Sequence, residues 1–198
     1  IDMIYREGIS NISLEDMEAG TDMGYTLKLL AISKCIDGKI EARVHPAFIP
    51  SEHPLAQVQG SFNALFMHGD NVDDVMLYGR GAGSFPTGSA IVSDIVYAAS
   101  VTEHRRYAWE EDLDINKNDF EHNFISKYYV RILVDDNEGI LSAIAAVFSK
   151  NKISIKSLVQ KDSKKKSVPI VFITHETREE SMKNALDEIS QLVGVESV

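Results

Sequence analysis

The chain has 198 residues, of which 44% are hydrophobic and 25% are charged, a globular composition sufficient for one medium-sized domain or two small ones. It has no apolar run near the ~20 residues of a membrane helix and no secretory signal. Its single cysteine, Cys35, excludes a disulfide framework and a thiolate metal cluster, so a reducing cytoplasm is the expected compartment. The formal net charge of −10 is uneven: residues 1–125 hold 20 acidic and 9 basic residues, and residues 126–198 hold 10 and 11. The acidic first part argues against nucleic acid or an anionic membrane as partner.

The first predicted elements are a helix and a hairpin. Ser13 and Asp16 form an S-x-x-D capping pattern, which predicts a helix that runs to about Met23 and ends at Gly24. The segments TLKLLAIS and KIEARVHPAFI then predict two strands around an Asp37-Gly38 turn. In the second strand, residues 40, 42 and 44 share one face and residues 41, 43 and 45 share the other.

A second hairpin and a second helix follow. GSFNALFMHG and VDDVMLYG predict strands around an Asp70-Asn71 turn, and Pro86 suits the first turn of a helix. An apolar stripe at helical spacing comprises Gly88, Ile91, Val92, Ile95 and Ala99. These elements predict an α+β fold in which an antiparallel sheet carries helices on one face.

The remainder divides into a linker and a second domain. Residues 102–121 are acidic and lack periodicity, which predicts a domain boundary. Residues 126–198 read as β-α-β-β-α-β, the ferredoxin-like arrangement, with a lysine-rich hairpin tip at 161–166 that we interpret as a solvated loop. Thr177 and Glu180 match a capping box for the last helix. The domain bounds are thus 1–105, a linker at 106–125, and 126–198.

The segment GRGAGSFPTGS, residues 79–89, is the first candidate site. It fails the G-x-G-x-x-G dinucleotide fingerprint, because Ser84 stands where the third glycine would be, and no Gly-Lys-Ser/Thr of a phosphate loop is present. Two interpretations stay open. Its glycines allow a tight strand-to-helix turn in which backbone approaches backbone, or they let backbone approach a flat ligand near a helix N-terminus.

The segment DDNEGIL, residues 135–141, is the second candidate site. Asp136 or Asn137 can cap the next helix, and Gly139 is expected in its first turn. The segment is either a plain turn or a loop whose free N–H groups hold a small carboxylate. The six histidines show no metal-binding spacing, so no metal is predicted, and no G-x-S-x-G elbow occurs.

The first part resembles a known enzyme family. ISLEDMEAGTDMGYTLKLLAIS, EARVHPAFIPSEHPLAQVQGSFNALF and YGRGAGSFPTGSAIVSDIV occur in the order found in the latter part of homoserine dehydrogenase, which residues 1 to about 100 resemble. The segment DDNEGILSAIAAVFSKNKISIKSLVQ resembles an ACT domain, the regulatory module that follows the catalytic region in many bacterial homoserine dehydrogenases.

The resemblance implies an NAD(P)-dependent oxidoreductase that interconverts aspartate semialdehyde and homoserine, on the route to threonine, methionine and isoleucine. It implies dimers through the central sheet, a possible tetramer through the ACT units, and threonine feedback. The family's Rossmann domain and catalytic lysine would lie upstream of residue 1, so the chain, which lacks an initiator methionine, is expected to be a piece that is inactive alone, with no catalytic residue of its own. The residues matching the family's nicotinamide-facing loop are Gly79, Gly81, Ala82, Gly83, Pro86 and Thr87.

The resemblance also assigns an effector site between ACT units. We expect threonine, or a related small amino acid, at Asp136, Asn137, Gly139 and Ile140 of one unit and at Ile153 and Ser154 of a partner. Glu138 replaces the proline of the D-x-P-G pattern common in ACT domains. Two alternatives remain: an amino-acid sensor without catalysis, and a structural dimerisation piece whose ACT-like half binds nothing.

Overall fold

The computed structural model describes residues 3–101, 119–160 and 167–198. In that part of the chain the elements form two units joined by a short segment. The first unit contains, in chain order, β1 Tyr5–Arg6, α1 Leu14–Asp22, β2 Tyr25–Ile36, β3 Lys39–Pro50, a 3₁₀ turn Pro54–Gln57, β4 Phe62–Gly69, β5 Asp73–Arg80 and α2 Ser84–Ser100. The joining segment contains β6 Ile125–Ser126, and the second unit contains β7 Tyr129–Asp135, α3 Ile140–Lys150, β8 Ile155–Gln160, β9 Ser167–Thr174, β10 Thr177–Arg178, α4 Glu179–Ser190 and β11 Val195–Ser197.

Helix α1 begins and ends as its sequence predicts. The Ser13 hydroxyl accepts from the Asp16 N–H at 3.2 Å, and the Asp16 carboxylate accepts from the Ser13 N–H at 2.9 Å, so the capping box is complete. Met23 is the C-cap residue of α1. Gly24 follows it at φ +81°, a left-handed conformation that glycine adopts without strain.

The strands of the first unit form two sheets. Strands β2 and β3 pair over their whole length, from Ile36 with Lys39 to Tyr25 with Pro50, and β1 adds to β3 in parallel. Strands β4 and β5 pair only with each other among the described residues. The α+β class is confirmed, with two antiparallel hairpins in place of one continuous sheet.

The second unit is the predicted β-α-β-β-α-β fold. Its sheet has the order β11-β7-β9-β8, and each neighbouring pair is antiparallel. Strand β7 alternates buried Val130, Ile132 and Val134 with less buried residues, as a half-covered strand should. Helices α3 and α4 cover one face of this sheet, and Phe148 on α3 packs edge-to-face on Phe172 of β9 at 5.3 Å between centroids.

The predicted capping box at Thr177 and Glu180 is wrong. Thr177 is a buried strand residue that pairs with Ser126, so Arg178 becomes the residue before the helix and its side chain makes no capping hydrogen bond. The cap comes instead from the joining segment, where Asn123 Oδ1 accepts from the Glu180 N–H at 3.1 Å. A cap supplied from 57 residues away has no local sequence signature.

Parts of two predictions lie outside the described residues. They are the lysine-rich tip at 161–166 and residues 102–118 of the acidic linker. Because most of the linker is not described, the domain bounds stay a prediction. Within the described part of the chain, no helix combines the length and apolar character needed to cross a membrane.

Candidate functional site

The first candidate site centres on the glycine loop, residues 81–83. This loop is an exposed turn between the end of β5 at Arg80 and the start of α2 at Ser84. Gly81 donates its N–H to the Ser61 carbonyl at 2.8 Å and lies against Asn63, whose Nδ2 would be 1.9 Å from an added Cβ. Gly83 has φ +125° and ψ 147°, a conformation almost restricted to glycine, and Thr87 donates to its carbonyl at 3.0 Å to start the helix. The backbone of the turn therefore requires glycine at 83, whereas a side chain at 81 would displace that of Asn63.

The structure brings all six predicted cofactor residues together in this turn. Gly79 is the next-to-last residue of β5, Ala82 lies between Gly81 and Gly83, and Pro86 and Thr87 lie in the first turn of α2. Ser84 and Phe85 also belong to that first turn, where N–H groups have no partner inside a helix. The Phe85 side chain is 89% exposed. The turn offers backbone donors and a flat open surface, while the packing of Gly81 on Asn63 equally supports a structural interpretation.

The second candidate site, the loop at residues 135–141, is called the effector loop below. It differs from its prediction in two ways. Gly139 is not in the first turn of α3 but precedes it, at φ +89°, and neither Asp136 nor Asn137 caps the helix. The loop is instead closed by its own backbone, with Asn137 N–H donating to the Asp135 carbonyl at 2.7 Å. A left-handed residue next to a short turn leaves the first N–H groups of α3 without a side-chain acceptor.

The two halves of the predicted effector site lie at opposite ends of the ACT sheet. Asp135 pairs with Ser167 at the start of β9, whereas Ile155 pairs with Thr174 at its end. Seven residues of strand separate these ends, about 20 Å at ~3.3 Å per residue. One group of predicted effector residues therefore lies at one end of the sheet: Asp136, Asn137, Gly139 and Ile140. Ile153 and Ser154 of the same chain lie at the other end. Ile153 is buried in the core, while Ser154 is exposed and its carbonyl accepts from the His175 N–H at 2.8 Å.

An ion pair that the sequence did not suggest joins the two units. Arg131 on β7 donates through Nε to Asp16 Oδ1 at 2.5 Å and through Nη2 to Oδ2 at 3.3 Å. Tyr129 donates its hydroxyl to Asp16 Oδ1 at 3.0 Å, and its ring packs on Phe48 at 4.6 Å between centroids. Asp16 is 4% exposed, so one buried carboxylate both caps α1 and holds the ACT sheet.

The titration of these groups follows from the contacts. Burial by itself raises the pKa of Asp16, but the hydrogen bonds from Arg131, Ser13 and Tyr129 outweigh it and hold that pKa below its usual value. Hydrogen bonding to Asp16 raises the pKa of Arg131. Burial and the Asp16 charge raise the pKa of Tyr129, so its hydroxyl stays a donor at neutral pH. The ion pair is thus fully charged across the physiological range.

A cleft of about 550 Å³ also separates the units and is lined from both sides. On one wall, Arg43 lies 3.1 Å from Glu41 and 4.3 Å above the Phe124 ring, and it is only 4% exposed. Three buried nitrogens of this wall have no hydrogen-bond partner among the described residues: Arg43 Nε, Arg43 Nη1 and His45 Nε2. The charged face of β3 is therefore largely internal, with Phe124 packed against Arg43.

The opposite wall carries a second hydrogen-bonded group. Tyr128 donates to Glu179 Oε2 at 2.5 Å, and Lys183 pairs with Glu179 Oε1 at 3.2 Å. Burial and the neighbouring Glu179 raise the pKa of Tyr128, which therefore remains protonated and donating. No cluster of three or more His, Cys, Asp or Glu suited to a metal ion occurs within residues 3–101, 119–160 and 167–198.

The fold and these contacts define an α+β unit onto which a ferredoxin-like unit is docked through buried charges. Comparison with protein families separates the same two parts: residues 1–96 match homoserine dehydrogenase, and residues 128–194 match the ACT domain. The chain belongs to the homoserine dehydrogenase family and carries an ACT domain.

Individual relatives agree with this assignment. The chain is 38% identical over 196 residues to homoserine dehydrogenase of Helicobacter pylori and 37% identical over 193 residues to that of Corynebacterium glutamicum. These alignments cover 98% and 94% of the chain but only 46% and 43% of the relatives, so the chain spans about half their length.

Solved structures show the same fold. A homoserine dehydrogenase from Thiobacillus denitrificans superposes with a TM-score of 0.80 at 32% identity, covering 98% of this chain and 46% of that one. A homoserine dehydrogenase from S. aureus superposes with a TM-score of 0.60 at 27% identity, covering 92% of this chain and 44% of that one.

Proposed function

We propose that this chain is the C-terminal portion of an NAD(P)-dependent homoserine dehydrogenase, which interconverts L-aspartate 4-semialdehyde and L-homoserine in the cytoplasm. The proposal rests on one observation: both units match, in the same order, a curated homoserine dehydrogenase over 98% of the chain. The residues that transfer hydride and protons are assigned to the other half of the protein, because the chain carries neither a dinucleotide fingerprint nor a phosphate loop.

The activity test compares the full-length protein with the 198-residue chain. Aspartate semialdehyde and NADH or NADPH are supplied, and cofactor oxidation is followed by its absorbance. The full-length protein should consume one or both cofactors, whereas the 198-residue chain should not. Protein-dependent oxidation by the pure chain, or none by the folded full-length protein with either cofactor, would refute the assignment.

Within that enzyme, the turn at residues 79–87 is assigned to the nicotinamide end of the cofactor. Its support is geometric: the six matching residues lie between the end of β5 and the first turn of α2, and all of them but Pro86 are exposed. The side chains of Ala82 and Thr87 are exposed and no charged residue lies between Gly81 and Ser93, which suits an uncharged aromatic ring better than a phosphate. The phosphates are assigned to the upstream half of the protein.

The ACT unit is assigned the binding of threonine or a related small amino acid. The loop around Asp136, Asn137 and Gly139 is exposed, and a Cβ on Gly139 would meet nothing within 4 Å, so there is room for a ligand. The α-carboxylate would accept from the first N–H groups of α3. Because Ile153 and Ser154 of the same chain lie at the far end of the sheet, a complete site needs a second ACT unit.

A thermal-shift scan of the 198-residue chain against the twenty amino acids tests this assignment. Threonine or a small relative should raise the melting temperature, and Asp136→Ala should reduce that shift without altering the melting temperature of the free chain. Lys127→Ala, which removes an exposed charge at the opposite end of β7 from the loop, serves as the control. If no amino acid shifts the transition, the ACT unit has a structural role only.

A homo-oligomer is part of the same proposal. No residue of α2 is buried, and both α2 and the preceding β4–β5 hairpin present large apolar side chains to solvent. The exposed apolar residues of this surface are Leu65, Leu77, Tyr78, Phe85, Ile91, Val92, Ile95 and Val96. Because exposed apolar side chains are unfavourable in water, we expect a second copy of the chain or the upstream half of the protein to pack on this surface.

A further inference from the structure

The joining segment between the two units, residues 119–126, contacts both of them. It is called the strap below. At one end, Phe120 forms a parallel bridge with Ile40, and Glu121 donates its N–H to the Ile40 carbonyl at 2.8 Å. Farther along, Phe124 is 5% exposed, lies under the Arg43 guanidinium and packs edge-to-face on Tyr5 at 5.6 Å. The strap is therefore fixed to β3 and β1 of the first unit.

The same strap holds the beginning of α4. The Glu179 N–H donates to the Phe124 carbonyl at 3.0 Å, and the Glu180 N–H donates to Asn123 Oδ1 at 3.1 Å. Asn123 Nδ2 also donates to Glu180 Oε2 at 3.3 Å. Since α4 has no cap from Arg178, the first two N–H groups of the helix are both held by the strap.

The other end of α4 leads directly to the effector loop. The turn after the helix ends at Gly194, whose carbonyl accepts from the Asp135 N–H at 2.7 Å. Asn137 and Ile140 of the loop lie within 4 Å of a Cβ placed on Gly194. Between its two ends, α4 is a continuous helix of 12 residues, about 18 Å long at ~1.5 Å per residue. Met182, Ala185 and Ile189 are buried along it, which favours movement of the helix as one body.

We propose that α4 transmits the state of the effector loop to the strap, and that the strap passes it to β3 through Phe124 and Ile40. Asn123 is then a positioning residue that links the ACT unit to the first unit. This inference rests on the proposed amino-acid response of the ACT unit. It adds that the response reaches the first unit through the N-terminus of α4 rather than through the Asp16–Arg131 ion pair alone.

The test uses the full-length enzyme and the variant Asn123→Ala. This variant removes the side-chain cap of α4 but leaves the effector loop intact. We expect threonine binding, measured by calorimetry, and activity without threonine to stay near wild type. The threonine concentration for half-maximal inhibition should rise at least about fivefold, since allosteric couplings are commonly 5–150-fold. Asn123→Asp keeps the acceptor oxygen for the Glu180 N–H but replaces the Nδ2 donor by a negative charge beside the Glu180 carboxylate, so it should restore only part of the inhibition.

A matched control and a second measurement complete the experiment. Asn151→Ala removes another asparagine that reaches a residue of α4, Glu188 at 3.4 Å, but away from the strap, and it should be inhibited like wild type. Hydrogen exchange should show a threonine-dependent change at residues 40–44 in wild type that is absent in Asn123→Ala. Wild-type inhibition in Asn123→Ala overturns the inference and leaves the proposed function standing. A wild-type enzyme that neither binds nor responds to threonine or to any related small amino acid refutes the proposed ACT function and the inference together.

Discussion

Asp16 is the residue on which two distant parts of the structure depend. Its carboxylate completes the capping box of α1 and also binds Arg131 and Tyr129, which lie more than 110 residues later in the chain. The cap follows from the local S-x-x-D pattern and was predicted. The ion pair was not, because nothing in a single sequence relates an acidic residue on a helix to an arginine on a strand of another unit.

Asp16→Asn should therefore destabilise the 198-residue chain. The amide keeps the shape of the carboxylate but loses the charge that Arg131 faces, at a cost of about 1–3 kcal/mol for a charged hydrogen bond. We expect a fall in melting temperature of several degrees. Glu18→Gln, an exposed acidic residue on the same helix, should leave the melting temperature almost unchanged. Equal melting temperatures for Asp16→Asn and wild type would show that the ion pair contributes nothing.

The same carboxylate predicts a dependence on pH. The pKa of Asp16 is depressed in the folded chain, so its contribution is complete above the unfolded value of about 3.9 and is lost as the pH falls through the lower folded value. The difference in melting temperature between wild type and Asp16→Asn should be constant near neutral pH and shrink below about pH 4. A difference that stays constant down to the acid transition would contradict this.

Glycines show the same division between what sequence patterns reveal and what they do not. The glycines at 79–83 were recognised as a turn, but their separate reasons, a contact with Asn63 for Gly81 and a restricted backbone for Gly83, required coordinates. Gly139 was placed one step too far into the helix, because Asp136 and Asn137 are good capping residues and offered a plausible earlier start. The left-handed conformation of Gly139 decides the actual start.

At the scale of elements, this placement of Gly139 gives a paired prediction. Gly139→Ala forces a Cβ into a left-handed conformation and should destabilise the chain by about 1–2 kcal/mol. Gly88→Ala introduces the same methyl group in open space within α2, where alanine is favoured over glycine by about 0.5–1 kcal/mol. Chemical denaturation should show opposite signs for the two variants. A loss of stability at Gly88 like that at Gly139 would refute the argument from backbone conformation.

Most elements were predictable because their signals are local. The two hairpins of the first unit, helix α1 and the order of the ACT strands follow from turn residues, caps and alternation, and the structure confirms them. The faces of the strands are a different matter. The face of β3 with Glu41, Arg43 and His45 reads as polar, yet Glu41 and Arg43 are buried under the strap. Periodicity finds the two faces of a strand, but packing between units decides which face is covered.

At the scale of the molecule, the exposed apolar surface of α2 and the β4–β5 hairpin predicts association. We expect light scattering of the 198-residue chain to give a multiple of its 22.0 kDa mass at micromolar concentration. Ile95→Glu, which places a charge at the centre of the α2 stripe, should shift the chain towards monomer. Ser93→Glu, on the same helix but outside the stripe, should not. A mass of 22.0 kDa that is independent of concentration would contradict the prediction.

The charge distribution suits two units with different tasks. The first part is strongly acidic and the ACT part is nearly neutral, and they meet through buried opposite charges such as Asp16 and Arg131. A screened surface contact would weaken with salt, whereas a buried pair is much less affected. We therefore expect the docking of the ACT unit through Asp16 and Arg131 to depend little on salt concentration.

The central claim is that a threonine-responsive ACT unit is docked on a homoserine dehydrogenase. The most direct test is the initial rate of aspartate semialdehyde reduction by the full-length protein at increasing threonine concentration. The account predicts a measurable rate without threonine and a saturable fall as threonine is added, which Asp136→Ala moves to higher concentrations. A folded protein whose rate is zero with both cofactors, or is unchanged by threonine at any concentration, would contradict it.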